Sequence, residues 1–94
     1  MNFYIYLIIT KHLDRYITYV GYAKNVNKRL NLHNTSKGAK FTKGKVWKII
    51  YKKKFSSKKR AMKEEYILKK NYKLRKHLKN KYLKNYENSN STPL

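Results

Sequence analysis

One acid in this chain falls where an exposed acid should not. At about 100° per residue, the segment from Lys58 to Tyr72 gathers Ala61, Leu68 and Tyr72 into one arc of a predicted helix, with Glu65 inside the arc and Met62 at its edge. Glu64, Asp14 and Glu87 fall where solvated acids belong. A half-buried carboxylate costs free energy unless a cation or hydrogen-bond donors compensate it, so Glu65 calls for a basic partner or a metal ion. On the helix alone, with 25 Lys and Arg against 4 Asp and Glu, the ion pair is the simpler of the two. Arg29 and His33 form a second candidate pair. They stand one turn apart and lean toward Val26, on the apolar side of another predicted helix. A guanidinium fork suits phosphate and an imidazole moves protons near neutral pH, although a snorkelling arginine and a satisfied core histidine serve that helix more simply. Tyr6 and Tyr19 complete the set, each on a predicted strand.

The elements that must position these residues follow from periodicity. Phe3, Ile5, Leu7 and Ile9 alternate with Tyr4, Tyr6 and Ile8, the pattern of a strand buried on both faces. A short turn over Lys11–Asp14 leads to a second β-rich run, Arg15–Val20, ending at Gly21, so the two runs read as a hairpin. Asn25 is a good N-cap for a helix to about Asn34. The stretch Thr35–Lys45, TSKGAKFTKGK, has no period and reads as a flexible basic loop. It is no phosphate-binding P-loop, because Val46 stands where a Ser or Thr must follow the lysine and the preceding element is a helix. Val46–Tyr51 is the third strand, with Trp47, Ile49 and Tyr51 expected on one face. Ser56 or Ser57 caps the Glu65 helix, and Leu74, Leu78 and Tyr82 mark one more amphipathic helix. The order is ββαβαα, one domain over residues 1–84 followed by a polar tail, 85–94, expected to be disordered.

Composition narrows the partner. A formal charge of +21 on 94 residues opposes compaction and is best tolerated in a protein that meets a polyanion, with nucleic acid the leading candidate. The lysines are spread along the chain rather than over one face of an apolar helix, which disfavours a membrane surface. There is no cysteine, and the 3 histidines are too scattered for a zinc cluster. The apolar run Phe3–Ile9 is far too short to span a bilayer, lacks a basic flank and is followed by no cleavage signal. An intracellular protein without a secretion signal is expected.

Taken together in chain order, these residues resemble the GIY-YIG nuclease family. Its two name-giving triplets correspond to Tyr4-Ile5-Tyr6 and Tyr19-Val20-Gly21, its arginine to Arg29, the position one turn later to His33, and its metal-binding glutamate to Glu65. The segments HNTSKGAKFTKG and EEYILKK are similar to those of small stand-alone members, and the latter selects Glu65 over Glu64. Tyr4 replaces the glycine of the first triplet, and Tyr22 stands where excision-repair members carry lysine. The resemblance implies an α+β fold, an α/β sandwich with a small three-stranded, mainly antiparallel sheet flanked by helices.

It also implies a metal-dependent endonuclease acting on DNA, with RNA a secondary substrate class, low sequence specificity and a preference for DNA structure. Glu65 would hold one Mg²⁺ or Mn²⁺, since Mg²⁺ keeps most of its waters and one carboxylate suffices. Arg29 would stabilise charge on the attacked phosphate. Tyr6 would be the general base and Tyr19 its partner at the water or phosphate, or the two exchanged, with His33 sharing the proton; a phenolate would require a strong positive field. Lys24, Lys28, Lys37, Lys40, Lys43 and Lys45 are the candidate phosphate contacts. A monomer is expected. The alternative is a nucleic-acid-binding module on the same fold that does not cut.

Overall fold

The computed structural model describes residues 2–90. Strand β1 (Phe3–His12) pairs antiparallel with β2 (Arg15–Ala23) through a tight turn at Leu13 and Asp14, both left-handed with φ of 51° and 64°. Positive φ at both central residues is the turn that matches the natural twist of a hairpin, and Asp tolerates it better than Leu does. Strand β3 (Lys48–Phe55) pairs antiparallel with the other edge of β1, giving the order β2-β1-β3. The apolar run of β1 thus occupies the centre, where both of its faces need cover.

Alternation along β1 divides the core in two. Phe3, Ile5 and Leu7 meet Val20, Phe55 and the Ala61 and Leu68 of helix α2 (Lys58–Lys70), with Leu78 of α3 (Tyr72–Asn90) packed alongside. Tyr6 and Ile8 point to the opposite face and meet Ala23, Trp47 and the Val26 of helix α1 (Val26–Asn34). The sheet is therefore sandwiched between α1 on one side and α2 with α3 on the other. The fold is α+β in the order ββαβαα, and its sheet is wholly antiparallel among the described residues. No helix among them is long and apolar enough to cross a membrane.

Several local expectations need correction. Trp47 lies before β3, and a β-bulge between the Leu7–Tyr51 and Ile8–Ile49 pairs leaves Ile50 as the extra residue. The bulge resets the alternation, so Ile49 faces α1 with Trp47 while Tyr51 joins Ile50 in the other core. Tyr72 is not on the Glu65 helix: the Asn71 N–H bonds back to the Ile67 and Leu68 carbonyls while its side chain accepts from the Leu74 N–H, closing α2 and opening α3. Tyr72 is consequently exposed, as is Met62. Finally, α3 continues to Asn90, beyond the boundary expected at residue 84, so the first part of the expected tail is helical. The rest of that tail, residues 91–94, lies outside the described residues.

Candidate active site

Tyr6 sits at mid-strand on β1, directly opposite Gly21 of β2. A Cβ on Gly21 would lie 2.1 Å from the Tyr6 hydroxyl and 2.2 Å from Cζ, so the phenol ring passes over the glycine backbone. The glycine that closes the second triplet is thus a space requirement imposed by the tyrosine that closes the first. With that clearance the Tyr6 hydroxyl reaches the Nε2 of His33, 2.8 Å away.

His33 is carried on α1, which opens with the Asn25 side chain accepting from the Lys28 N–H at 3.0 Å. It is fully buried, and the cover is the segment expected to be a flexible loop. That expectation is overturned. A 3-10 turn at Lys40–Thr42 buries Thr42 completely, and its hydroxyl stands 2.8 Å from His33 Nδ1 and 2.8 Å from the Ala39 carbonyl. Gly38 lies flat against the imidazole, where a Cβ would come within 2.4 Å of Nδ1. The far end of the loop is pinned by Trp47, whose indole N–H donates to the Thr42 carbonyl at 3.1 Å and whose backbone exchanges two bonds with the Asn34 side chain, 2.6 and 3.2 Å. Gly38, Thr42, Asn34 and Trp47 are site residues that periodicity had not singled out. Only the HNTSKGAKFTKG likeness pointed to the segment.

These bonds determine the proton order. The Thr42 hydroxyl has one hydrogen and gives it to the Ala39 carbonyl, so it must accept from His33 Nδ1–H. His33 Nε2 then carries the lone pair and accepts from the Tyr6 hydroxyl. Burial and the nearby Arg29 charge both lower the pKa of His33 below 6.5, which keeps this neutral tautomer at pH 7. Tyr6 is displaced the other way. Burial pushes it up to about 12 although Arg29 pulls it down, with Tyr19 and the Glu65 charge adding to the rise. In the metal-free protein, burial therefore outweighs the pull of Arg29, and Tyr6 keeps its proton.

Arg29, Tyr19 and Glu65 all act electrostatically on the Tyr6 hydroxyl, Arg29 most strongly and through a hydrogen bond. Arg29 is half-buried, and its Nε is buried with no hydrogen-bond partner among the described residues. Tyr19 packs edge-on against His33, with ring centres 5.4 Å apart, and stacks on Phe41 of the loop at 5.9 Å. The Glu65 side chain is 20% exposed, in keeping with its position on the helix, and Lys69 one turn later stands 3.4 Å from its Oε1. The simple basic partner is thus present, but Lys69 is 50% exposed and the pair is of the weak surface kind. Among the described residues no three His, Cys, Asp or Glu side chains group as a metal cage. A lone, partly buried carboxylate still fits a heavily hydrated Mg²⁺, which takes one or two protein carboxylates.

The candidate lysines divide into two groups. Lys24 and Lys28 line one cleft with Arg29 at the end of β2. Lys37, Lys40 and Lys43 project into solvent from the loop that covers His33. Lys45 instead turns back over Phe41, with its ammonium donating to the Phe41 and Lys43 carbonyls at 3.3 and 3.5 Å.

The sequence pattern of the GIY-YIG catalytic domain matches residues 2–89. The chain belongs to the GIY-YIG family. Family membership makes it a relative of nucleases, whose substrates are nucleic acids and which generally use divalent metal ions. Among similar proteins, a UPF0213 protein of Oceanobacillus iheyensis is 43% identical over 65 residues, covering 68% of this chain and 74% of its own length. A UPF0213 protein of Streptococcus agalactiae is 46% identical over 52 residues, covering 54% of this chain and 59% of its own. For several such relatives the match spans little more than half of their length, 55% in a UPF0213 protein of Bacillus licheniformis. The solution structure of a UPF0213 protein of Bacillus halodurans is 33% identical and aligns over 99% of this chain and 100% of that one, with a TM-score of 0.49.

Proposed function

We propose that this chain is a metal-dependent endonuclease that hydrolyses phosphodiester bonds in DNA with low sequence specificity and a preference for DNA structure, acting inside the cell as a monomer. The observation that carries the reading is the hydrogen-bond chain Tyr6–His33–Thr42 beside an arginine whose buried Nε lacks a partner. An idle donor carries a cost in a half-buried arginine, and a phosphate in the adjoining cleft would give the guanidinium acceptors.

In this reading Arg29 forks onto the scissile phosphate and stabilises the charge that grows on its oxygens. One Mg²⁺ or Mn²⁺ at Glu65, when bound, supplies Lewis-acid stabilisation of phosphate and departing oxygen. The attacking water gives its proton to the Tyr6 oxygen as Tyr6 gives its own to His33 Nε2. The tyrosine ends neutral, and no phenolate forms, which a pKa of about 12 would restrict to about one molecule in 10⁵ at pH 7. The imidazolium that results donates from both nitrogens, to Tyr6 and to Thr42, so neither existing bond is lost. A bound phosphate offsets the Arg29 charge that holds His33 low, and raises its basicity when substrate is in place. Tyr19, against the same imidazole, orients the water or phosphate. Lys24 and Lys28 hold the backbone next to Arg29, and the loop lysines Lys37, Lys40 and Lys43 add further phosphate contacts, while Lys45 braces the loop carbonyls.

The rival reading, a binding module that does not cut, draws on the Lys69–Glu65 ion pair, which gives the acid a purely structural partner. Plasmid nicking in Mg²⁺ or Mn²⁺ by the native chain, Glu65→Gln and Arg29→Ala decides between them, with an RNA of the same sequence as the second substrate. Losses of at least about 100-fold in both variants, with DNA binding retained, support the enzyme. Equal background cleavage by all three chains refutes it.

A further inference from the structure

A second aromatic site lies at the opposite end of β2 from Arg29. A cavity of about 190 Å³ opens between the hairpin end and α3, lined by Tyr16, Tyr82 and Tyr86 and flanked by Lys11 and Lys48. This is below the roughly 300 Å³ of pockets that hold whole drug-sized ligands, room for one flat ring system. Tyr82 and Tyr86 stack on each other at 6.3 Å, and Tyr86 remains 47% exposed. Lys48 sits over the Tyr86 ring and Lys11 over the Tyr16 ring, at 5.8 and 5.7 Å. Exposed tyrosine faces ringed by ammonium groups are the surface on which unpaired bases stack while their phosphates are neutralised.

The path between the two sites is itself furrowed and basic. As an edge strand, β2 leaves its outer side unpaired within the sheet. The Arg29 cleft borders Tyr22, a groove floored by Thr18 and Val20 follows with Lys69 and Arg75 on its rim, and Lys79 then reaches the Tyr16 carbonyl at 3.5 Å. Six strand residues at about 3.3 Å each span about 20 Å. Duplex DNA rises about 3.4 Å per nucleotide and an extended single strand rises more, so the path holds at most about six nucleotides.

We infer that this furrow takes a single-stranded DNA arm leaving the cleavage site, and that the Tyr16–Tyr82–Tyr86 pocket holds an unpaired base near its end. The inference rests on the proposed nuclease reading and adds to it the substrate class: a duplex bearing a flap or overhang. Binding is measured without metal by fluorescence anisotropy, so that failure of catalysis does not obscure it. The probes are a blunt hairpin duplex and the same duplex with a single-stranded arm of two or of eight nucleotides, in both polarities. The native chain is expected to bind one eight-nucleotide arm about tenfold more tightly than the blunt duplex, the two-nucleotide arm showing no gain. Tyr86→Ala should abolish that gain, as loss of one base stack does, and leave blunt-duplex affinity unchanged. Tyr86→Leu, which retains apolar cover for α3, should abolish it too. Equal native affinity for all probes, or a gain that survives in a folded Tyr86→Leu, overturns the inference; plasmid nicking by the same variant reports separately on the nuclease reading.

Discussion

Gly21→Ala tests whether the two triplets are linked by space rather than by proximity in sequence. Gly21 lies in an extended strand without positive φ, where alanine would ordinarily stabilise by up to about 1 kcal/mol through the unfolded chain. Here the added methyl would collide with the Tyr6 hydroxyl, Cζ and Cε1 at 2.1, 2.2 and 2.6 Å. The ring is 1% exposed and its hydroxyl is tied to His33, so it cannot swing aside. Overpacking of this kind costs about 2 kcal/mol, and loss of the Tyr6–His33 bond adds about 1 kcal/mol. The sum of about 3 kcal/mol lowers the midpoint of thermal unfolding by more than about 10 °C in a domain of this size. In Tyr6→Leu the colliding atoms do not exist, so adding Gly21→Ala there should be neutral or stabilising. Thermal and urea unfolding of the four chains gives the coupling directly. Additivity of the two substitutions within about 0.5 kcal/mol would refute the reasoning, because it would mean that the phenol does not occupy the space over Gly21.

The titrations of His33 and Tyr6 set opposite limits on pH. Nicking should fall as pH drops toward the His33 pKa, which lies below 6.5, and should show no tyrosine-dependent rise between pH 7 and 10. Stability follows the same signs in thermal melts. The lowered His33 value makes stability full above pH 6.5 and diminishing as pH falls toward the folded pKa, while the raised Tyr6 value makes it full below pH 10 and costs about 3 kcal/mol as pH rises to 12. Thr42→Val removes the acceptor for His33 Nδ1–H, and should cost about 1–2 kcal/mol in urea unfolding while reducing nicking without weakening DNA binding. Lys69→Met removes the ammonium that competes for Glu65, so the Mg²⁺ concentration for half-maximal nicking should fall by up to about fivefold, the worth of an exposed pair. An unchanged metal requirement would show that Lys69 does not compete.

Residues whose role depends on a period could be read from the chain, and residues whose role depends on a through-space contact could not. Glu65, Arg29 and His33 are out of place on otherwise apolar helix sides, and Ala61 and Leu68 are indeed the buried residues that flank Glu65. Thr42 and Gly38 lie in a segment without periodicity. Their importance arises only when the loop folds over His33, a contact between residues 9 positions apart that no local pattern encodes. The reversed side of Tyr51 has a similar origin, since a single bulged residue inverts the parity on which strand faces are assigned. The helical end of α3 was hidden because it carries few apolar residues: Tyr82 and Tyr86 stack within the helix, and Lys48 over the Tyr86 ring ties it to the sheet.

Two oddities of the site have one explanation. Arg29 has a buried nitrogen without a partner, and it also lowers the pKa of the histidine beside it. Each is unfavourable for the protein alone: an idle donor loses hydrogen bonding, and a histidine held neutral is a poor base. In the proposed reading, a phosphate in the cleft that Arg29 lines would give the guanidinium an acceptor and offset its part in the lowered His33 pKa, the larger part, from burial, remaining. The proton path from Tyr6 through His33 to Thr42 is already assembled, so such an anion has only to change its energetics and not its geometry. The basic excess of the chain, +21 overall, would bring in the phosphate that makes the buried histidine a better base.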